Sequence, residues 1–359
     1  MSGGIGGLTD MPGPGAGGIG SRGDDGPTGG RALGPGDVLV LRALGLGDAL
    51  AGVAALRGVR RAWPDRRIVL AGPAHLGRWL QGYGLVDAVL PAHDLEPLAL
   101  PPGGGHVGVD LHGRGPASHA VVAATRPERL VSWASPEAGY PDGPVWRRDE
   151  HEVDRWCRLV TWAGGPCGRD DLRLPNPAAP GDAVVVHPGA AFGSRRWPPD
   201  RWRAVVTALA GAGHPVLVTG SAAERDLCAA VAGTAPAGGP VGGSAAVDRG
   251  EVRDLSGRLS VPELAEVVGA ARLVACGDTG VAHIATALGV PSVLLFGPIP
   301  PAWWGPAVDP ELHTVLYRGD PAAPGDPHGS AVDPALARIT VDEVLDAVDA
   351  QLGAPVAGR

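Results

Sequence analysis

The sequence has 359 residues and no lysine, so all of its 30 basic residues are arginines. Without lysine the chain cannot carry the G-x-x-x-x-G-K-[ST] loop of P-loop nucleotide-binding proteins. Its four cysteines form no CxxC pair, which argues against the usual zinc and redox motifs. No apolar run approaches the roughly 20 residues of a membrane span, and the first residues lack the apolar core of a secretory signal. We therefore expect a cytoplasmic protein with at most peripheral membrane contact.

The sequence also lacks an excess of positive charge and several common catalytic and metal-binding motifs. The formal net charge is −8, which argues against nucleic acid as a partner. No GxSxG or HExxH motif occurs, and no two aspartates are spaced as DxD. A diphosphate site bridged by a metal ion is therefore not indicated, and we expect neither a metal ion nor a cofactor.

The order of sequence patterns predicts two domains of the α/β class. Residues 1–34 are rich in glycine and poor in large apolar side chains, which predicts a disordered tail. In 35–165, and again in 182–330, buried-strand patterns alternate with helical ones, as in doubly wound parallel sheets. The turn-rich segment 166–181 is predicted to be a linker. The last segment, 331–359, contains an amphipathic helix that needs a partner surface.

The stretch VLVLRALGLGDALAGVAALRGV, residues 38–59, predicts a strand, a glycine-rich turn and a helix. Gly45 and Gly47 match the first two glycines of a dinucleotide fingerprint, but Leu50 stands at the third. The next predicted strand also ends without an acidic residue, so nicotinamide or flavin binding is disfavoured. Asp48 stands where the helix is predicted to begin, where it is either a helix N-cap or a catalytic group.

Two segments of the second half combine strand ends with charged residues. In HPGAAFGSRRWPPDRW, residues 187–202, Gly189 permits a tight turn, and Arg195 and Arg196 precede a helix. Arginines beside a helix N-terminus suit a diphosphate, although a surface loop with solvated arginines remains the alternative. Glu224 follows another strand end and is suited either to bind ribose hydroxyls or to complement the dipole of the next helix.

The segment CGDTGVAHIATALGVPSVLLFGP, residues 276–298, opens a helix directly after a strand. Asp278 is a candidate N-cap, which leaves the amides of Thr279 and Gly280 able to hold anionic oxygens. His283 lies in the first turns of the helix, where it is either a structural residue or a ligand-binding one.

These segments, together with VTGSAAERD and the run LSGRLSVPELAEVVGAARLVACGDTGVAHIATALGVPSVLLFGPIPPAWWGP, resemble glycosyltransferase family 9, which includes the lipopolysaccharide heptosyltransferases. The matching segments occur in the family's order over residues 37–306. The resemblance implies a GT-B fold, with two Rossmann-like domains that face a central cleft. It also implies that the final helix packs back on the N-terminal domain, and that transfer inverts the anomeric centre without a required metal.

The resemblance further implies residue roles. Asp48 would be the general base, and Arg195 or Arg196 would stabilise the leaving diphosphate, a role that lysine has in better-known members. Donor binding would fall to Gly189, Glu224, Asp278, Thr279, Gly280 and His283. The acceptor side would include Gly47, Asp110, His112 and Ser118, with His112 standing where the family often has glutamine.

The expected activity is therefore transfer of a sugar, heptose or a related one, from a nucleoside diphosphate to a hydroxyl group. An ADP-sugar is the favoured donor, with GDP, UDP and dTDP as possible carriers. The acceptor would be a glycan, a lipid-linked molecule or a small molecule. Two alternatives are a sugar-nucleotide epimerase or hydrolase of the same fold, and a nucleotide-sugar-binding protein without catalysis.

Overall fold

A computed structural model describes residues 32–234 and 248–353 of the chain. The chain divides into two compact units, Met1–Leu172 and Arg173–Arg359. The predicted tail, 1–34, lies outside the described residues except for its last three. There the structure corrects the tail's boundary, because Leu33 is only 5% exposed and packs in the core of the first unit.

The first unit contains a five-stranded parallel sheet. Its strands are β1 (Asp37–Leu41), β2 (Arg67–Gly72), β3 (Ala88–Pro91), β4 (Val107–Asp110) and β5 (Arg129–Val131). They lie in the order β3-β2-β1-β4-β5. All five residues of β1, DVLVL, are buried, as expected for a central strand that is covered on both faces. The helices of this unit are α1 (Leu46–Ala51), α2 (Val53–Ala62), α3 (Ala74–Gly82), α4 (Ala117–Ala123) and α5 (Glu152–Trp162).

The helix that follows β1 differs from its prediction in two ways. It begins at Leu46, with Gly45 as N-cap, so Asp48 is the third helical residue and the N-cap alternative is wrong. It is also divided into α1 and α2 at Gly52. A Cβ atom at Gly52 would lie 2.8 Å from the Cδ atom of the Arg42 side chain. The glycine therefore makes room for a buried arginine.

The second unit contains a six-stranded parallel sheet. Its strands are β6 (Val184–His187), β7 (Val216–Val218), β8 (Val252–Asp254), β9 (Leu273–Gly277), β10 (Ser292–Phe296) and β11 (His313–Tyr317). They lie in the order β11-β10-β9-β6-β7-β8. The sequence patterns did not predict the two edge strands of this sheet, because β8 (VRD) has two charged residues and β11 (HTVLY) has only a short apolar run after two polar residues. The helices are α6 (Pro199–Gly211), α7 (Arg225–Ala232), α8 (Val261–Ala270), α9 (Gly280–Leu288), α10 (Pro301–Trp304), α11 (Pro334–Ala337) and α12 (Val341–Gly353).

The terminal helix α12 corrects another expectation. Val344 and Val348 on this helix are fully buried in the core of the second unit, together with Val205 of α6 and Val293 of β10. The helix therefore packs on the second sheet, whereas the resemblance implied a place on the N-terminal domain. The valines of α12 pack against apolar residues of the second unit, which precedes the helix directly in the chain.

Each sheet reverses its strand order at one point, between β1 and β4 in the first unit and between β6 and β9 in the second. At these points the paired strands end almost level, with Leu41 opposite Asp110 and His187 opposite Cys276. Loops that leave the carboxyl ends of such strands diverge and leave a crevice, where α/β proteins bind ligands. The residues that follow β1, β4, β6 and β9 are therefore the first place to look for a site.

Candidate functional site

In the first unit, Asp48 lies in the first turn of α1, just beyond the switch-point end of β1. Its side chain is 32% exposed, and one carboxylate oxygen lies 3.9 Å from the Arg42 guanidinium. The Nε atom of Arg42 also donates a hydrogen bond to the Asp48 carbonyl oxygen at 2.5 Å. The Asp48 carboxylate thus lies next to a buried cation, and part of it remains accessible to solvent. A carboxylate placed in this way is suited to take a proton from a substrate.

Arg42 itself is a site residue that the sequence analysis did not single out. It directly follows β1, and its side chain is 2% exposed. Besides Asp48 it donates to the carbonyl oxygen of Leu111, which follows β4, and it lies over the ring of Trp156, 5.1 Å from the ring centre. Arg42 therefore connects the two switch-point strands with α5. An arginine directly after a buried strand was the available sequence signal.

The predicted acceptor residues Asp110, His112 and Ser118 do lie together around the end of β4. The His112 backbone N–H donates to an Asp110 carboxylate oxygen at 2.9 Å, and the Ala43 N–H donates to the His112 ring at 3.3 Å. Burial raises the pKa of Asp110 to about 6 and lowers the pKa of His112 to about 4. Asp110 and Ser118 are fully or almost fully buried, so these two stabilise the loop more directly than they offer groups to a ligand.

Two further residues belong to this edge. Gly47 is half-buried in the first turn of α1, directly before Asp48. His119, on α4, lies 3.5 Å from a carboxylate oxygen of Asp110, and burial lowers its pKa to about 4. The pair is therefore a buried carboxyl beside a neutral imidazole at neutral pH.

In the second unit, the loop after β6 carries the two predicted arginines. Arg195 is half-buried and its guanidinium lies 3.7 Å from a carboxylate oxygen of Asp278. Arg196 is exposed, donates from Nε to the Ala190 carbonyl oxygen at 2.8 Å, and lies 4.0 Å from Glu224. The structure thus brings both arginines to the edge that Asp278 and Glu224 occupy, with donor atoms still available for an anion.

The N-terminus of α9 forms the other side of this edge. Thr279, not Asp278, is the N-cap, so the predicted cap is displaced by one residue. Asp278 is buried, which raises its pKa, while Arg195 opposes that rise. Gly280 opens the helix, and His283, one turn later, packs edge-on against Trp304 with ring centres 5.8 Å apart.

Two polar atoms at this edge are shielded from solvent without a hydrogen-bond partner among the described residues: Thr279 Oγ1 and Arg195 Nε. Buried polar atoms are normally paired, because an unpaired one costs about 1–3 kcal/mol. The donors suited to phosphate oxygens at this edge are the N–H groups at the N-terminus of α9 and the exposed part of the two arginines.

Glu224 has a structural role that was one of its two predicted alternatives. One of its carboxylate oxygens, Oε2, accepts hydrogen bonds from the Ser221 backbone N–H and hydroxyl, both at 2.8 Å, at the turn before α7. The other oxygen, Oε1, faces Gly189, where a Cβ atom would overlap it. Gly189 therefore lets the Glu224 carboxylate pack closely against the loop after β6, 4.0 Å from Arg196, and ribose binding by Glu224 stays a prediction.

The described residues contain no cluster of three or more His, Cys, Asp or Glu side chains placed to hold a metal ion. Within the same ranges, none of the helices has the length and apolar character needed to cross a bilayer.

Two Rossmann-like units, each with polar residues at its switch point, define the GT-B class of fold. Two solved structures from E. coli share this fold. ADP-heptose lipopolysaccharide heptosyltransferase II matches with a TM-score of 0.64 and 17% identity, over 88% of this chain and 98% of the other. Heptosyltransferase WaaC with ADP matches with a TM-score of 0.62 and 18% identity, over 88% and 99%.

Sequence comparison places the chain more narrowly. Residues 148–321 match the sequence model of glycosyltransferase family 9 (heptosyltransferase). Over 157 residues the chain is 32% identical to lipopolysaccharide heptosyltransferase 1 of Pseudomonas aeruginosa, an alignment that covers 44% of this chain and 39% of that protein. The match thus spans about two fifths of the relative's length. Over residues 148–321 the comparisons bear out the resemblance found in the motifs: this part of the chain is similar to the family 9 heptosyltransferases.

Proposed function

We propose that this protein is an inverting glycosyltransferase that moves a sugar from a nucleoside diphosphate to a hydroxyl group of a glycan, a lipid-linked molecule or a small molecule. The observation that carries the proposal is the edge of the second sheet where Arg195, Arg196 and the N-terminus of α9 meet. Guanidinium groups and helix N–H groups are the donors that proteins use for diphosphates.

In the proposed reaction the acceptor oxygen attacks the anomeric carbon while the bond from that carbon to the diphosphate breaks. The hydroxyl becomes more acidic as its oxygen forms the new bond, so a carboxylate is a sufficient base. Asp48 takes this proton, and the accessible part of its side chain supplies the receiving oxygen. A single displacement of this kind inverts the anomeric configuration.

The negative charge that develops on the leaving diphosphate is stabilised by Arg195 and Arg196. Charge stabilisation of this kind is commonly a large contribution to catalysis. The arginines supply the positive charge that a divalent cation supplies in other transferases, and we therefore propose that no metal ion is required. Arginine differs from lysine in its fixed, planar set of donors, so two phosphate oxygens can be bound by one side chain.

We favour an ADP-sugar, heptose or a related sugar, as the donor. Support comes from the match to the heptosyltransferase family model and from the names of the two E. coli structures. Asp110, His112 and Ser118 are proposed to shape the acceptor side, with the half-buried His112 the nearest of the three to the surface.

The test is ADP release from ADP-heptose, measured with and without a panel of glycan acceptors. The proposal predicts release that depends on an acceptor and a product with inverted anomeric configuration, determined from its one-bond C1–H1 coupling by NMR. Release that needs no acceptor would establish a hydrolase instead. Binding of ADP-heptose without release, with every acceptor, would favour the non-catalytic alternative.

A further inference from the structure

A cluster of charged side chains is buried in the first unit around Glu152, the first residue of α5. One of its carboxylate oxygens, Oε1, accepts a hydrogen bond from Trp156 Nε1 at 2.5 Å and lies 3.6 Å from the Arg42 guanidinium. The other, Oε2, accepts from Arg155. The side chains of Arg42, Glu152 and Arg155 are all at most 7% exposed. One carboxylate therefore lies next to two guanidinium groups, and all three side chains are almost completely shielded from solvent.

Arg42 consequently faces two carboxylates at nearly the same distance. One of its terminal nitrogens lies 3.6 Å from Glu152 and 3.9 Å from Asp48. Its Nε atom is bound separately, to the backbone carbonyl oxygen of Asp48. The position of the guanidinium is thus fixed by the backbone and by Trp156. Its charge acts on both acids, and also on the buried Asp110 at the end of β4.

This division matters because a nearby cation favours the charged form of a carboxylate. A carboxylate held too strongly in that form is a weak base. We propose that Glu152 is a positioning residue that holds Arg42 and offsets its charge, so that Asp48 retains enough proton affinity to act as a base. The inference rests on the proposed function only in naming Asp48 as the base; the electrostatic coupling of the three side chains does not depend on it.

The other charged groups near Arg42 come from the end of β4 and from α5. Asp110 and His112 lie at the end of β4, and burial keeps the His112 ring neutral at ordinary pH. Arg114 follows in the same loop, and Arg155 on α5 is already paired with Glu152. Glu152 is the carboxylate on α5 that lies next to Arg42. Removing its charge therefore changes how strongly the positive charge of Arg42 is offset, and leaves the other charged groups in place.

The inference can be tested without measuring activity. The protein is labelled with aspartate carrying ¹³C at the carboxyl carbon, and the Asp48 signal is assigned by its loss in Asp48→Asn. The titration midpoint of Asp48 is then compared between the unmodified protein and Glu152→Gln. We expect the midpoint to move to lower pH by about one unit, because the full charge of Arg42 then acts on Asp48.

Glu150→Gln is the matched control. Glu150 lies two residues before Glu152 and pairs with Arg158 at 2.7 Å, so this variant removes the same charge from a neighbouring position. Its Asp48 midpoint should remain unchanged. If Glu152→Gln does not fold, Glu152→Asp can be used instead, because the shorter side chain keeps the charge but moves it away from Arg42. This variant should move the Asp48 midpoint in the same direction by a smaller amount.

The kinetic arm separates this inference from the proposed function. With ADP-heptose and an accepted glycan, the acidic limb of kcat/KM should move to lower pH in Glu152→Gln, by the amount that NMR shows. An Asp48 midpoint identical in the unmodified protein and in the folded Glu152 variants would overturn the inference, even if transfer is normal. An unmodified protein that never transfers would contradict the proposed function while the NMR result still decides the inference.

Discussion

The Arg195 guanidinium lies 3.7 Å from a carboxylate oxygen of Asp278, although β7, β8 and β9 come between the two residues in the chain. The contact forms because β6 and β9 are neighbours at the switch point of the second sheet. Burial disfavours the charged form of Asp278 and Arg195 favours it. A diphosphate that binds Arg195 would compete with this carboxylate, so the arginine is positioned by a weak contact that a ligand can replace.

Replacement of Asp48 by asparagine separates catalysis from binding. Asp48→Asn keeps the size of the side chain and removes the proton acceptor, so kcat should fall by about 10²- to 10⁴-fold, the usual contribution of a general base. The dissociation constant for ADP, measured by calorimetry, should stay within about twofold. Normal turnover by this variant would eliminate Asp48 as the base, whatever the binding data show.

Gly189 should not tolerate a side chain. In Gly189→Ala the added methyl group would overlap Glu224 Oε1 and displace the carboxylate that lies beside Arg196. Affinity for ADP should therefore fall by about tenfold or more, equivalent to at least about 1.4 kcal/mol.

Gly211→Ala is the control for that variant. A Cβ atom at Gly211, in the last turn of α6, meets nothing within 4 Å. This substitution should leave ADP binding unchanged and should stabilise the fold by up to about 1 kcal/mol, because alanine is the better helix former. Equal loss of affinity in both variants would show that the effect is not specific to the loop after β6.

Asp110 predicts a particular pH dependence of stability. Burial raises its pKa from the ordinary 3.8 to about 6 in the folded state, so the folded protein retains a proton that the unfolded chain loses between those values. The contribution of this group to the free energy of unfolding therefore falls as pH rises from about 4 to 6, by about 3 kcal/mol in total.

Asp110→Asn removes that titration. Relative to the unmodified protein, the variant should gain stability as pH rises from 4 to 6.5, with no further relative gain above that range. Chemical denaturation at several pH values measures the difference. A constant difference between the two proteins from pH 4 to 7 would contradict the raised pKa of Asp110.

Metal independence can be tested with a chelator. If the arginines alone neutralise the leaving diphosphate, extensive dialysis against EDTA should leave the transfer rate within about twofold of its original value. Loss of transfer that is restored by Mg²⁺, Mn²⁺ or Fe²⁺, but not by Ca²⁺, would replace this part of the proposal.

The central strands and the two-unit organisation could be predicted because strands such as DVLVL are apolar throughout and alternate with helical patterns. The edge strands β8 and β11 were not predicted, because β8 is a three-residue strand with two charged residues and β11 begins with two polar residues. Amphipathicity correctly predicted that α12 needs a partner surface, but it does not show which sheet covers a helix. The N-terminal partner taken from the resemblance was wrong, because Val344 and Val348 pack in the core of the second unit.

The candidate site shows the same division. Arg195, Arg196 and Asp278 follow predicted strands, so their meeting at one edge follows from parallel topology. Arg42 and Glu152 were missed because their importance comes from burial and from contacts between β1 and α5. The one local signal was that Arg42 directly follows a buried strand, and Glu152 had none.

The most direct test of the account is a thermal-shift screen with ADP, GDP, UDP, dTDP and NAD on the unmodified protein and on Arg195→Ala/Arg196→Ala. A ligand that binds only the folded protein, at about 100 times its dissociation constant, adds roughly 2.7 kcal/mol to the free energy of unfolding. We predict that a nucleoside diphosphate, ADP above all, stabilises the unmodified protein and not the double variant. Stabilisation by NAD alone, or by ADP equally in both proteins, would contradict the assignment of the loop after β6 as the diphosphate site.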